Sequence, residues 1–152
     1  MHRYAFVLLP IAIVLVGAGP STRVDQKRIL EAICSVESQG REDCPDGDGG
    51  RAIGPYQIFL TYWYEAVEFD PSIGGSYWDC KKRSYAQKVV QAYMRRHVPL
   101  AWKNADAEVI ARTHNGGPRG ASIGATLPYW DKVKGILAKK SRRALSVVHQ
   151  DI

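Results

Sequence analysis

Two acidic residues stand eleven positions apart in very different company. Glu37 closes an apolar pattern made by Ile29, Leu30, Ile33, Cys34 and Val36, whose spacings of three and four suit a helix with one buried face. Asp48 lies in Pro45-Asp46-Gly47-Asp48-Gly49-Gly50, a run of turn-forming residues. Apolar neighbours at a helix end desolvate a carboxyl group and disfavour its charged form. Glu37 therefore reads as a proton donor near neutral pH. An exposed turn keeps Asp48 ionised, able to stabilise or attack a developing positive charge. A protonated and an ionised carboxyl facing one substrate are what cleavage of a glycosidic bond needs. Each acid alone has an ordinary explanation, since a Glu at a helix end and an Asp beside Gly are common. The pair gains weight from the segments around it.

Those segments are Cys34-Ser35-Val36-Glu37-Ser38, then Asp48-Gly49-Gly50 leading to Gly54-Pro55-Tyr56-Gln57-Ile58 and Tyr62-Trp63. Further along come Gly75-Ser76-Tyr77-Trp78-Asp79-Cys80, Val90-Gln91-Ala92-Tyr93-Met94-Arg95-Arg96, and Ala111-Arg112-Thr113-His114-Asn115-Gly116-Gly117-Pro118, followed by Tyr129-Trp130. In this order they resemble the lysozyme superfamily, and within it the invertebrate-type, destabilase-like lysozymes. The resemblance covers about residues 29–137. The His-Asn-Gly-Gly-Pro string is its most specific piece; Gly-Pro-Tyr-Gln-Ile is shared with transglycosylase-like proteins. It implies a mostly α, α+β lysozyme-like fold: a helical domain with a small loop or β-hairpin beside an active-site cleft. It also implies Glu37 and Asp48 as the catalytic pair, with retention of configuration. Asp46 is the competing acid in the same loop; Asp48 is preferred because it directly precedes Gly49-Gly50. The chain departs from the family in cysteine content, having three where members are usually cysteine-dense.

Around the acids, Tyr56 and Gln57 are expected at the start of a helix opened by Pro55, where donors point outward and Gln57 can bond a sugar hydroxyl or acetamido group. A core Tyr and a capping Gln are the plain alternatives. His114, Asn115 and Gly116 end a helix where glycine lets a sugar approach the backbone; the resemblance puts them beside the cleft. His114 can titrate near neutral pH, although a histidine there more often only caps a helix. Of the four tryptophans, Trp63 and Trp130 fall at core spacing, whereas Trp78 lies in a glycine-bearing connection and is the candidate to stack on sugar.

The elements that must position these residues follow from periodicity. Helices are expected at about 25–38, 56–67, 84–96, 105–113 and from Thr126 and Pro128 to Leu137, with a small hairpin around Asp48 in the 39–53 loop. The 152 residues suit one domain at 19–139, preceded by a secretory signal at 1–18 and followed by a basic tail at 140–152 that frays. The apolar run from Ala5 to Val16 is short for a span and holds Pro10, so no stable membrane span is expected after cleavage. Cys34, Cys44 and Cys80 allow one disulfide and one leftover thiol in an oxidising compartment. Their spacing fits no zinc or Cys-x-x-Cys motif, and no metal or cofactor is expected.

A formal charge of +6 suits an anionic partner such as a bacterial surface and its peptidoglycan strands. The basic clusters 81–83, 95–96 and 139–143 are separate and match no nucleic-acid motif, so nucleic acid is not expected as a partner. The expected activity is a secreted muramidase. Its rivals are a lytic transglycosylase using Glu37 alone, a chitinase-like glycosidase, and a non-catalytic wall-binding protein.

Overall fold

The computed structural model describes residues 24–148, with side chains as far as residue 143. The expected signal segment lies outside the described residues. Among the described residues, six α-helices and one two-stranded antiparallel sheet surround a single core.

Helix α1 (Gln26–Ser38) starts at Asp25, whose side chain accepts from the backbone N–H of Arg28 at 2.8 Å. It stops where Gln39 and Gly40 turn left-handed and their N–H groups reach back to Ser35 and Cys34. Ile29, Leu30, Ala32, Ile33 and Cys34 are buried. Glu37 lies one and two turns beyond Ile33 and Leu30, so it continues the buried face to the point where the core opens.

The chain then forms a 3₁₀ turn (Asp48–Gly50), β1 (Ala52–Ile53) and β2 (Ile58–Phe59), paired Ala52↔Phe59 and Ile53↔Ile58. Residues 54–57 make the hairpin turn. Here the structure corrects the expected helix start at Pro55: helix α2 is Leu60–Phe69. Gly54 explains the difference. It has φ +71°, and a Cβ there would overlap the Cys80 carbonyl, so the chain passes the backbone at 80 as a tight turn. The hairpin accordingly centres on 54–57 rather than on Asp48. Asp48 belongs to a smaller loop closed by a bridge between Gly47 and Ala52.

Helix α3 (Arg83–His97) is the central helix, burying Ala86, Val89, Val90, Ala92, Tyr93 and Met94. Short α4 (Pro99–Asn104), which the periodicity did not foretell, leads to α5 (Ala107–Gly116), capped by Asp106. Helix α6 (Leu127–Val148) packs Tyr129, Val133 and Leu137 onto the core. It runs well past Leu137, because its basic end finds partners on α1. Lys140 Nζ meets Glu31 at 3.1 Å, and Arg28 donates to Ser141 Oγ at 2.7 Å. A second correction concerns the thiols. All three cysteines are free, with Cys34 and Cys80 buried in the core and Cys44 partly exposed, so the expected disulfide is not formed.

Candidate active site

Glu37 and Asp48 line the same cleft, of about 360 Å³. Its wall is completed by residues of the hairpin, α2 and the end of α5, among them Gln57, Thr61, Tyr62, Glu65, His114, Asn115 and Gly117.

Glu37 is held from behind. The Tyr129 hydroxyl donates to Glu37 Oε1 at 2.7 Å, and His114 Nε2 stands 3.6 Å from the same oxygen. Burial first, and then the Glu37 charge, push the Tyr129 hydroxyl well above its ordinary pKa, so it remains a donor. Oε2 accepts no hydrogen bond from the described residues, which leaves the second oxygen for the cleft.

His114 is buried at the end of α5, one turn after Ile110. Burial lowers its pKa, outweighing the opposing pull of the Glu37 carboxylate and the Tyr56 carbonyl. A neutral imidazole makes the contact with Glu37 a polar one rather than an ion pair. Its tautomer follows from its neighbours. The Tyr56 carbonyl, 3.1 Å from Nε2, can only accept, so Nε2 carries the hydrogen. Nδ1 then accepts from the Tyr62 hydroxyl at 3.3 Å, a group that burial also holds protonated. The imidazole N–H therefore points at the Tyr56 carbonyl with Glu37 Oε1 close by.

Asp48 has φ +49°, a left-handed conformation that Asp tolerates better than most residues. Arg51 wraps it, with Nη2 at 2.7 Å from Oδ2 and Nε donating to the Asp48 carbonyl at 3.1 Å. Asp46, the competing acid, is instead paired with Lys81 at 2.9 Å and is not part of the cleft wall. Gln57 braces the acid loop. It too has positive φ, +48°, and its amide donates to the carbonyls of Gly54 at 2.9 Å and Pro45 at 3.2 Å. A non-glycine residue in that region is strained and persists only when its surroundings hold it.

The structure thus brings Glu37, Asp48, Gln57, His114 and Asn115 together. Three other expected sugar contacts stand outside the cleft wall. Tyr56 is fully buried with its hydroxyl bonded to Gln87 at 3.1 Å, and contributes its carbonyl to His114 rather than a face to a ligand. Trp78 is 65% exposed but lies outside the cleft wall, beside Tyr77 and under Lys81. Gly116 faces Thr126, whose methyl would lie 2.6 Å from an added Cβ; its neighbour Gly117 lines the cleft instead. Tyr129 and Glu65 escaped sequence reasoning. Tyr129 falls at core spacing with Val133 and Leu137, and nothing local marks its partner 92 residues away. Glu65 looks like an ordinary solvated position on α2.

Comparison with known proteins agrees with this architecture. A family model described as Destabilase matches residues 26–136. A lysozyme of Meretrix lusoria is 38% identical over 112 residues, 72% of this chain and 88% of that protein. Invertebrate-type lysozyme 6 of Caenorhabditis elegans is 34% identical, over 70% of this chain and 83% of that protein. Among solved structures, an inhibitor-bound lysozyme from Meretrix lusoria superposes with a TM-score of 0.61 at 33% identity, covering 78% of this chain and 94% of that one. The chain belongs to the destabilase family, that of the invertebrate-type lysozymes. It is a glycoside hydrolase of the lysozyme class.

Proposed function

We propose that this protein hydrolyses the β-1,4 bond between N-acetylmuramic acid and N-acetylglucosamine in peptidoglycan, with Glu37 as general acid and Asp48 as the second carboxylate. One observation carries the assignment of roles: Glu37 enters the cleft with Oε1 fixed by Tyr129 and Oε2 without a hydrogen bond from the described residues, while Asp48 lines the same cleft. Oε2 gives its proton to the glycosidic oxygen as the bond breaks. Positive charge then develops on the sugar, and Asp48 stabilises it or captures it as a glycosyl ester. Glu37, now ionised, takes a proton from the water that completes hydrolysis. The Arg51 guanidinium holds Oδ2 of Asp48 in place.

The positive charge balance draws the protein to anionic walls by long-range attraction. No helix among the described residues is long and apolar enough to cross a membrane. The leader-like residues 1–18 support action outside the cell on bacterial surfaces.

Mass spectrometry of the products from purified peptidoglycan tests the reading. Hydrolysis gives reducing muramyl ends, heavier by one water than the anhydro ends a lytic transglycosylase leaves. Anhydro products would transfer the chemistry to Glu37 alone, and no soluble product would leave only a wall-binding role.

A further inference from the structure

A second cavity, of about 320 Å³, shares no residue with the catalytic cleft. It lies where the first turns of α1 meet α3 and α4, lined by Gln26, Lys27, Leu30, Gln87, Gln91 and Trp102. Trp102 is half-buried against the core, and α1 pins it: Gln26 Nε2 donates to the Trp102 carbonyl at 2.8 Å. Gln87 is tied in a similar way, its Nε2 donating to the Tyr56 hydroxyl at 3.1 Å. Both amides keep their carbonyl oxygens without a hydrogen bond from the described residues. Gln91, one turn after Gln87 and exposed, makes no side-chain hydrogen bond with them, and neither does the Trp102 indole N–H. Lys27 forms no ion pair among the described residues, and none of the six lining side chains is acidic.

An indole ringed by amides, with no carboxylate, suits a neutral ligand rich in hydroxyl and amide groups. The C–H face of a pyranose packs on an aromatic ring. Amide oxygens and N–H groups, with the Lys27 ammonium, match sugar hydroxyls and an acetamido group as acceptors and donors. Gln26 and Gln87 are already anchored, which lowers the ordering cost of binding. We propose that this cavity is a second carbohydrate site, remote from the cleft, that holds a neutral N-acetylglucosamine unit of the wall glycan. The choice of glycan rests on the glycosidase reading above. Two sites on one polymer make the second contact intramolecular, so each can be weak while together they keep the protein on insoluble wall.

The test uses the isotope-labelled full chain carrying Glu37→Gln, titrated by NMR with chitotriose, a neutral N-acetylglucosamine trimer. No tryptophan among the described residues lines the cleft, so the Trp102 indole N–H, identified by its loss in Trp102→Phe, reports on the second cavity. The Gly117 amide reports on the cleft. The Trp102 signal should shift saturably, with a Kd on the order of millimolar. Adding Gln91→Ala should raise that Kd about three- to tenfold, the range for one lost hydrogen bond, and leave the Gly117 curve in place. Lys27→Ala, a second exposed change, should act in the same direction, and thermal melting checks that each variant folds. A silent Trp102 signal, with wild type that cleaves peptidoglycan, overturns the second site and leaves the glycosidase reading intact. A Trp102 shift that follows the Gly117 curve and ignores both substitutions also overturns it, marking a relay from the cleft through Tyr56 and Gln87. So does a shift caused by free stem peptide and not by chitotriose, which makes the occupant a peptide. A Trp102 shift weakened by both substitutions, in a protein whose wild type cleaves no peptidoglycan, supports the site and overturns the glycosidase reading alone.

Discussion

Gly47 and Gln57 compete for one volume: a Cβ on Gly47 would overlap Gln57 Oε1. Gly47 itself has φ −92° and ψ 173°, which any residue adopts, so the need for glycine there is purely steric. Gln57 cannot swing away freely, because its amide nitrogen is tied to Gly54 and Pro45. Gly47→Ala should therefore dislodge the brace of the Asp48 loop. The expected cost is on the order of ten- to a hundredfold in kcat for a displacement near the chemistry, and roughly 1–3 kcal/mol of stability for overpacking. In the pair Gly47→Ala with Gln57→Ala, stability should recover and activity should not. Urea melts and initial lysis rates of the three variants decide it; full activity in Gly47→Ala would show that the brace is dispensable.

Glu37→Gln should keep the fold and the Tyr129 contact, since Gln retains an acceptor oxygen. It removes the transferable proton. General acid catalysis typically supplies ~10²- to 10⁴-fold, so lysis should fall by at least that range. Near wild-type clearing of cell-wall suspensions by a folded Glu37→Gln protein would end the assignment.

Tyr129→Phe isolates the hydroxyl that holds Oε1. The ring stays in the core, so stability should change by no more than about 1 kcal/mol. Glu37 loses its fixed orientation, and kcat should fall about tenfold, within the range for a hydrogen bond to a charged group. An unchanged kcat would mean that Glu37 is oriented by α1 alone.

The legible part of this site was the part written locally. The period of Ile29, Leu30 and Ile33 placed α1 and put Glu37 at its end, and the glycines announced the Asp48 loop. What misled was a signal with two readings. Pro55 favours a helix start and a turn equally, and the turn prevails because Gly54 passes tightly against Cys80. Tyr56 is fully buried, the core alternative, and no local pattern decides between that and an exposed position. Contacts such as Tyr129 with Glu37, Glu65 with His97 and Lys140 with Glu31 join distant segments, so periodicity carries no trace of them.

The three free thiols make a countable expectation. Titration of the denatured, unreduced protein should find three thiols per chain. In the native protein Cys44, the one partly exposed, should react first. Cys80 should react last, because burial pushes its thiol up to about 12 and almost none is thiolate at neutral pH. A count of one would show that a disulfide forms on secretion and that the core around Cys34 or Cys80 rearranges to admit it.

The state of His114 gives the protein a definite dependence on pH. Its ordinary pKa of 6.5 applies in the unfolded chain, and burial lowers it in the folded one. Between those two values the unfolded state binds more protons, so stability rises with pH. The His114 contribution is full above about 6.5 and is lost as pH falls through the depressed folded value. A charged His114 paired with Glu37 would have the opposite sign, its stabilisation present at low pH and lost on raising it. His114→Gln separates the two, since Gln can still donate to Tyr56 and accept from Tyr62 without titrating. The other histidines, including His97 beside Glu65, are common to both proteins and cancel in the difference. Denaturant melts between pH 5 and 7.5, on wild type and variant, should show the wild type losing more stability than the variant as pH drops. If the wild type instead gains on the variant towards pH 5, the imidazole is charged in the fold, and the contact with Glu37 is an ion pair after all.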